Sequence, residues 1–256
     1  MKIATWNVNS INVRLPNVLK YLQDYQPDIL CLQELKTTDE KYPTQQLNDI
    51  GYQTIQSCQK TYNGVSIISK TKPQDIEDNP VNLDKAEKRS IACSFGDLRI
   101  INFYVVNGQA VDSEKYIHKL KWLNKAFIYI KKQLLLYPKL LIVGDFNIVP
   151  NEKDAYDFSP SNILCSSKER QALDSIIKLG LKDCYIPEDG ETPYTWWDYR
   201  GGSFHRDIGY RIDLLLASEL LHKEIKGYEV HKDTRHKSWC ESQPKTSDHA
   251  PVMIEL

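Results

Sequence analysis

Acidic, amide and histidine side chains recur at the ends of apolar runs in this sequence. The clearest example is Leu140–Asn147, where four aliphatic residues precede Gly-Asp-Phe-Asn. Such a run predicts a buried strand ending on Asp145, and Asn147 faces the same way because side chains alternate along a strand. A carboxylate and an amide placed together can hold a metal ion or activate a water molecule. A Gly-Asp pair after an apolar run is also typical of a plain turn, and for this stretch alone both interpretations stay open.

The same arrangement recurs in other parts of the chain. Apolar strands are predicted before Asn7 and Glu34, around Asp213, and after the adjacent Asp248 and His249. An Asp inside an apolar strand is costly without a partner, so Asp213 is predicted to be hydrogen-bonded. Taken singly, Glu34 could be a solvated acid at the start of a loop, and Asp248 and His249 could both be surface residues. The repetition favours a shared site at the ends of the strands.

This set of side chains suits metal-assisted hydrolysis of a phosphoester. Mg²⁺ binds oxygen ligands, usually one or two carboxylates with water and substrate phosphate completing its shell. A second carboxylate can take a proton from the attacking water, and a His can face the charge that develops on phosphorus. The absence of a Cys/His cluster disfavours zinc and leaves Mn²⁺ as the alternative to Mg²⁺. No pattern resembles a thiol or serine nucleophile centre, a glycine-rich phosphate loop or a dinucleotide fingerprint.

Both helices and strands are predicted along the chain, and the region from 52 to 106 is predicted to be all strand. Helices are predicted around 15–25, 113–136 and 168–179, with Pro27 and Gly180 ending the first and the last. The lysines between 119 and 132 are interpreted as a solvated helix face, and 85–89 as a solvated turn of mixed charge. Strands are predicted at 3–6, 29–33, 52–57, 64–69, 90–95, 99–105, 140–144, 210–217 and 252–256.

Composition narrows the class of protein. The 256 residues are 41% hydrophobic and 26% charged, with a net charge of −1. Bulk charge therefore does not indicate a nucleic-acid-binding protein, and any site for a polyanion must be local or built with a metal. The six cysteines are widely spread without a C-x-x-C pair, which is typical of reduced thiols in a cytoplasmic protein. The N-terminus lacks an apolar signal region and no segment approaches membrane-spanning length.

The chain resembles the exonuclease III family of apurinic/apyrimidinic (AP) endonucleases, within the endonuclease/exonuclease/phosphatase superfamily. The Glu, Gly-Asp-x-Asn and Ser-Asp-His elements belong to the whole superfamily, including lipid and inositol phosphatases. The Trp-Trp-Asp-Tyr-Arg and Gly-x-Arg-Ile-Asp segments are characteristic of its DNA-repair branch. The spacing most resembles bacterial AP endonucleases of the kind found in Neisseria. The matching motifs occur in order at 5–10, 32–36, 62–65, 104–108, 144–147, 194–200, 211–213 and 247–251.

The resemblance implies a fold and an activity. The fold would be a DNase I-like four-layer α/β sandwich, with two central β-sheets flanked by helices, in a single domain over 1–256. The activity would be that of an AP endonuclease of base excision repair. It would use Mg²⁺ to hydrolyse the phosphodiester 5′ of an abasic site in duplex DNA, leaving a 3′-hydroxyl, with 3′-phosphodiesterase or 3′-5′ exonuclease activity besides. We expect a cytoplasmic monomer whose partner is duplex DNA containing abasic sites, with no membrane association.

The resemblance also implies roles for the metal-binding residues. Glu34 would be the main Mg²⁺ ligand, with Asn9 close to the metal. Asn7 and Asp248 are assigned to the same metal site. Some relatives have an acid where Asn9 stands, and this departure would weaken metal affinity.

The remaining roles concern the chemistry and the phosphate. Asp145 would activate the water, while Asn7 and Asn147 would hold the phosphate and the nucleophile. Tyr104 would contact the scissile phosphate. His249, oriented by Asp248, would stabilise the pentacovalent transition state, and Asp213 would support this network. These roles are carried over from the matching motifs, residue by residue.

The last set of implied roles concerns recognition of the substrate. Trp196, Tyr210 and Ile212 match positions that form a small apolar pocket for a bare deoxyribose, and Asn107 would also bind the substrate. Many relatives have Pro where Val106 stands, so the loop that holds Asn107 would be less rigid here. Adjacent aromatics in a strand face opposite ways, so one of the two tryptophans at 196 and 197 can be exposed, although core packing remains an alternative for Trp196.

Two rival functions remain. A lipid or inositol-phosphate phosphatase of the same superfamily would lack the Trp-Trp-Asp-Tyr-Arg segment. A non-catalytic DNA-binding relative would have lost a site residue, and every site residue is present.

Overall fold

The first of two six-stranded sheets contains both the first and the last strand of the chain. The computed structural model describes residues 1–83, 86–188 and 191–256. In spatial order this sheet contains Gly227–Val230 (β11), Val252–Glu255 (β12), Lys2–Asn7 (β1), Ile29–Gln33 (β2), Val65–Ser69 (β4) and Gln53–Ser57 (β3). Strands β1 and β2 are parallel neighbours, whereas β12 lies antiparallel to β1 on the other side.

The second sheet contains the strand that ends on Asp145. In spatial order this sheet contains Gln74–Asp78 (β5), Ser90–Phe95 (β6), Leu98–Tyr104 (β7), Lys139–Asp145 (β8), Asp213–Ser218 (β10) and Leu181–Asp183 (β9). Strands β7 and β8 run parallel, and β10 is antiparallel to β8.

Apolar side chains on both faces of each sheet produce four layers. The helices are Ile11–Asp24 (α1), Thr44–Asp49 (α2), Glu114–Leu136 (α3), Ser167–Ile177 (α4) and Glu219–His222 (α5). In β8, Leu141 and Val143 pack between the two sheets, while Leu140 and Ile142 pack outward against helices α3 and α4. A separate core lies between α1 and the outer face of the first sheet. The predicted four-layer α/β sandwich is therefore confirmed. Within the described ranges, no helix is long and apolar enough to cross a membrane.

The strand register brings the predicted strand ends to one edge of the sandwich. Tyr104 at the end of β7 pairs with Asp145, which also pairs with Asp213 at the start of β10. The close approach of β7 and β8 requires a glycine before Asp145. A Cβ at Gly144 would lie 1.9 Å from the Phe103 carbonyl oxygen, and Gly144 has φ of +134°.

The two ends of the chain meet at the same edge. The Trp6 indole nitrogen donates to the carbonyl oxygen of His249 at 3.0 Å. In return, the Ser247 hydroxyl donates to the carbonyl oxygen of Asn7 at 2.6 Å. Residues from β1 and from the segment before β12 therefore share one site.

The structure differs from the sequence prediction in several elements. Strands β5, β9 and β11 and helices α2 and α5 were not predicted, and the strand expected over 210–217 begins at Asp213. Two interpretations of charged residues are wrong in part. The lysines at 121, 125, 131 and 132 are exposed as predicted, but Lys119 is fully buried. Arg89 is buried beneath the Tyr104 ring rather than in a solvated turn. Lys85, the first residue of that predicted turn, lies outside the described residues.

Candidate active site

The polar residues at the strand ends surround a cleft with a volume of about 470 Å³. One wall carries carboxylates, amides and a His, and the opposite wall is largely apolar. Ten of the thirteen residues singled out from the sequence line this cleft, and the other three, Asn7, Asn9 and Asp213, contact its lining from behind or beside it. The lining residues are Glu34, Tyr104, Asn107, Asp145, Asn147, Asn162, Ile163, Leu164, Trp196, Tyr210, Ile212, Asp248 and His249.

Asp145 lies at the centre of the polar wall. Its carboxylate accepts hydrogen bonds from the Asn7 side-chain amide at 2.9 Å and from the Asn147 main-chain nitrogen at 2.9 Å. Burial raises the pKa of Asp145 to about 7; His249 opposes the rise and the negative charges of Asp213 and Glu34 add to it. A carboxyl group with a pKa near neutrality is suited to accept a proton from water.

His249 is oriented by Asp213, so the assignment of that role to Asp248 is wrong. The His249 Nδ1 atom lies 2.8 Å from Asp213 Oδ2, and the Thr195 hydroxyl donates to the same oxygen at 2.7 Å. Asp248 faces elsewhere and accepts hydrogen bonds from Asn9 and from the Trp196 indole, both at 3.0 Å. The physical reason is that the chain bends at Asp248 and His249 pairs with Trp196, so the two adjacent side chains contact different neighbours.

The charge on His249 follows from these neighbours. Burial alone would lower the pKa of His249, but the hydrogen-bonded carboxylate of Asp213 and the nearby charges of Asp145 and Asp248 raise it to about 10. The Nε2 atom lies 3.9 Å from Asp145 Oδ2. The site therefore holds an imidazolium group that faces the cleft beside a carboxylate suited to act as a base.

The residues around Glu34 fit a hard divalent cation. The Lys36 ammonium lies 2.6 Å from Glu34 Oε2 and 2.6 Å from Asn9 Oδ1, so these oxygens already surround a positive charge. In the described part of the chain, no three His, Cys, Asp or Glu side chains cluster as a complete set of metal ligands. The donors near Glu34 are therefore of the kind that binds a hard divalent cation through one or two carboxylates, with water completing its shell.

Asn7, assigned to the metal site from the sequence, contacts both carboxylates of the site. Its side-chain nitrogen donates to Glu34 Oε1 and to Asp145 Oδ2, both at 2.9 Å, and its side-chain oxygen accepts from the Asn9 main-chain nitrogen at 3.0 Å. Asn7 is fully buried. It therefore holds the two carboxylates of the site at a fixed separation.

Three site residues have a left-handed backbone that is uncommon outside glycine. Asn9, Glu34 and Asn147 have φ of +47°, +54° and +50°. Residues in sparsely populated backbone regions cost about 1–3 kcal/mol each and collect at functional sites. The positions implied by the resemblance therefore also carry local strain.

Trp196 and Tyr210 form the apolar wall. Their rings stack with centroids 5.5 Å apart, and Ile212 packs in the same cluster. Trp196 is half-buried at the cleft, whereas the adjacent Trp197 is fully buried. The alternation expected for the two tryptophans is therefore observed: Trp197 is buried, while Trp196 lines the cleft and also packs against the apolar cluster. Sequence reasoning missed the residues that complete this wall, Asn162, Ile163 and Leu164.

Tyr104 and Asn107 also line the polar wall of the cleft. The Arg89 guanidinium lies 5.0 Å from the centre of the Tyr104 ring. Burial, with the charges of Glu34 and Asp145, raises the pKa of the Tyr104 phenol well above its ordinary value, so it remains a hydrogen-bond donor. The Asn107 amide donates to the Asn147 side-chain oxygen at 2.9 Å.

Comparison with known proteins identifies the family. The model of the Endonuclease/Exonuclease/phosphatase family matches residues 4–249. The chain is 30% identical to exodeoxyribonuclease III of Haemophilus influenzae, and the match covers 100% of both chains. It is 29% identical to an exodeoxyribonuclease of Bacillus subtilis over 99% of this chain and 98% of that one. The chain belongs to the Endonuclease/Exonuclease/phosphatase family.

Solved structures that are similar to this one include proteins that act on DNA. The structure is similar to a 3′ phosphatase of Neisseria bound to a product DNA hairpin, with a TM-score of 0.93 and 42% identity. It is also similar to an AP endonuclease of Archaeoglobus fulgidus, with a TM-score of 0.91 and 34% identity. Each match covers 100% of this chain and 99% of the other. The resemblance to AP endonucleases and to a Neisseria type is confirmed.

Proposed function

We propose that this protein is an AP endonuclease. It would hydrolyse the phosphodiester 5′ of an abasic site in duplex DNA and leave a 3′-hydroxyl. The observation that carries the proposal is the cleft itself, in which an imidazolium and a carboxyl with a pKa near 7 face an apolar wall of Trp196, Tyr210 and Ile212. A polar catalytic wall opposite an apolar wall of this size suits a sugar phosphate without its base.

A divalent cation, Mg²⁺ or alternatively Mn²⁺, would be held by Glu34 with Asn9 and Asp248 beside it. When bound, it would neutralise charge on the phosphate oxygens. Asp145 accepts the proton of the attacking water, and Asn147 holds that water and the phosphate. The His249 imidazolium, held by Asp213, faces the charge that develops on phosphorus.

A second activity is favoured by the relatives. The Neisseria protein, 42% identical, is described as a 3′ phosphatase and as a 3′-5′ exonuclease. The same catalytic residues would act on a phosphoester at a DNA 3′ end, because attack on phosphorus needs the same proton acceptor and the same charge stabilisation. We therefore propose that the same cleft also carries out 3′-phosphodiesterase and exonuclease reactions. The protein would act in the cytoplasm as a monomer on duplex DNA.

The test is a cleavage assay on three labelled duplexes. The first carries a single tetrahydrofuran abasic analogue, the second a 3′-phosphate at a nick, and the third is intact. We expect cleavage 5′ of the analogue with Mg²⁺, a 3′-hydroxyl product, and no reaction in EDTA. Glu34→Gln should raise the Mg²⁺ concentration for half-maximal rate. Full activity in EDTA would refute the metal mechanism, and reaction of the nicked duplex alone would restrict the function to 3′ ends.

A further inference from the structure

A buried ammonium group lies directly behind the two asparagines of the cleft. Lys119 of α3 has no exposed surface, and its Nζ atom donates to the main-chain oxygens of Asn147 at 2.6 Å and of Asn107 at 3.1 Å. Its third partner is the carboxylate of Glu169 in α4. An ammonium has three N–H bonds, so each is directed to a protein acceptor.

Glu169 connects this ammonium to the apolar wall. Its carboxylate, also fully buried, accepts from the Ser166 hydroxyl at 2.6 Å and from the Ser166 main-chain nitrogen at 3.1 Å. It also accepts from the main-chain nitrogen of Leu164 at 3.3 Å, and Leu164 has φ of +71°. The ion pair therefore reaches main-chain atoms of three segments that line the cleft.

The absence of a side chain at Gly108 leaves room for the Lys119 side chain to extend toward the site. A Cβ at Gly108 would lie 3.2 Å from Lys119 Cδ and 3.0 Å from Ile163 Cδ1, and Gly108 has φ of +94°. Two buried charges lose several kcal/mol of hydration each, and a well-packed apolar pair is often at least as stable. Packing alone therefore does not require this ion pair.

We propose that Lys119 is a positioning residue for the catalytic step. By fixing the carbonyl oxygens of Asn107 and Asn147, it sets the separation of their side-chain amides, which lie 2.9 Å apart and face the phosphate. Glu169 holds the ammonium in place. The inference rests on the proposed function, in which Asn147 holds the nucleophile. A displacement of about 1 Å in a reacting group can cost about 10²-fold in rate.

The experiment compares five variants with the native protein on the abasic duplex. Lys119→Met removes the ammonium, and Lys119→Met/Glu169→Met removes both charges and so leaves no unpaired buried ion. Arg99→Met is the matched control, because Arg99 is also a fully buried cation but lies at the opposite end of β7 from Tyr104. Asn147→Ala, alone and with Lys119→Met, completes a double-mutant cycle. All rates are measured below the lowest melting temperature.

We expect Lys119→Met to lower kcat by about 10- to 100-fold with little change in Kd for DNA. Its effect should nearly vanish in the Asn147→Ala background, since both changes act on one group. The double Met variant should regain melting temperature but stay slow. The inference is overturned if Lys119→Met is no slower than Arg99→Met, if its effect adds fully to that of Asn147→Ala, or if the double Met variant is as fast as native. Absence of cleavage by the native protein would instead refute the proposed function.

Discussion

Replacing Asp213 by Asn tests which carboxylate controls the His249 imidazole. Asp213 Oδ2 lies 2.8 Å from His249 Nδ1 and is fully buried, so its charge acts on the ring with little screening. The rise of the His249 pKa from 6.5 to about 10 corresponds to about 5 kcal/mol in favour of the imidazolium. Without that charge, burial lowers the His249 pKa and only the charges of Asp145 and Asp248 oppose it, so we expect the pKa to fall toward its ordinary value of 6.5.

The expected loss of rate depends on pH. At pH 8 a pKa of about 10 leaves about 99% of His249 protonated, whereas a pKa of 6.5 leaves about 3%, so kcat should fall about 30-fold. At pH 6 His249 is mostly protonated in both the native protein and the variant, so the loss of kcat caused by deprotonation of His249 should shrink to less than 2-fold. The native rate itself should rise with pH through about 7, as Asp145 loses its proton.

The assay is a set of single-turnover rates from pH 5.5 to 9.5 at saturating Mg²⁺, expressed as the native-to-variant ratio. Asp248→Asn is the comparison variant, because Asp248 hydrogen-bonds to Asn9 and Trp196 rather than to His249 and its charge raises the His249 pKa less than that of Asp213 does. Its native-to-variant ratio should change with pH much less than that of Asp213→Asn. An equal pH dependence of the two ratios would refute the electrostatic reasoning and reduce Asp213 to a structural role.

Three further predictions follow from the geometry. Asp145→Asn should lower kcat by about 10²–10⁴-fold while gel-shift binding of abasic DNA persists; a near-native rate would remove Asp145 from the base role. Trp196→Ala should widen the apolar wall and narrow the rate difference between abasic and intact duplexes, and a lower melting temperature with unchanged selectivity would contradict this. Burial lowers the pKa of His231, so its unfolded form binds more protons and the free energy of unfolding should drop as pH falls through 6.5. Urea titrations at pH 5 and 7.5 should show a smaller drop in His231→Asn than in the native protein.

The strands that carry the catalytic carboxylates could be predicted because their apolar runs are long. Leu140–Gly144 is buried on both faces, and only a central strand with cores on both sides requires that pattern. Strands β5, β9 and β11 were missed for the opposite reason. Gln74–Asp78 is mostly polar and exposed at a sheet edge, and Leu181–Asp183 has only three residues. Their pairing depends on neighbouring strands rather than on their own composition.

The partners within the site could not be read from sequence. Whether His249 contacts Asp213 or Asp248 depends on the register between β8 and β10 and on the path of the segment before β12. Lys119 did leave a signal in the sequence. It lies between Tyr116 and Trp122 at helical spacing, within the stripe of α3 that packs on the second sheet, so its position indicates burial despite its charge.

The meeting of the two chain ends at the cleft has a consequence for synthesis. Ser247 and His249 hydrogen-bond to Trp6 and Asn7, so they are made more than 230 residues after their partners. Until β12 is made, strand β1 lacks that neighbour and one of its edges is unpaired. The pairing of β1 with β12 also brings the segment of His249 to the cleft, so assembly of the active site depends on the same contact that protects this strand edge.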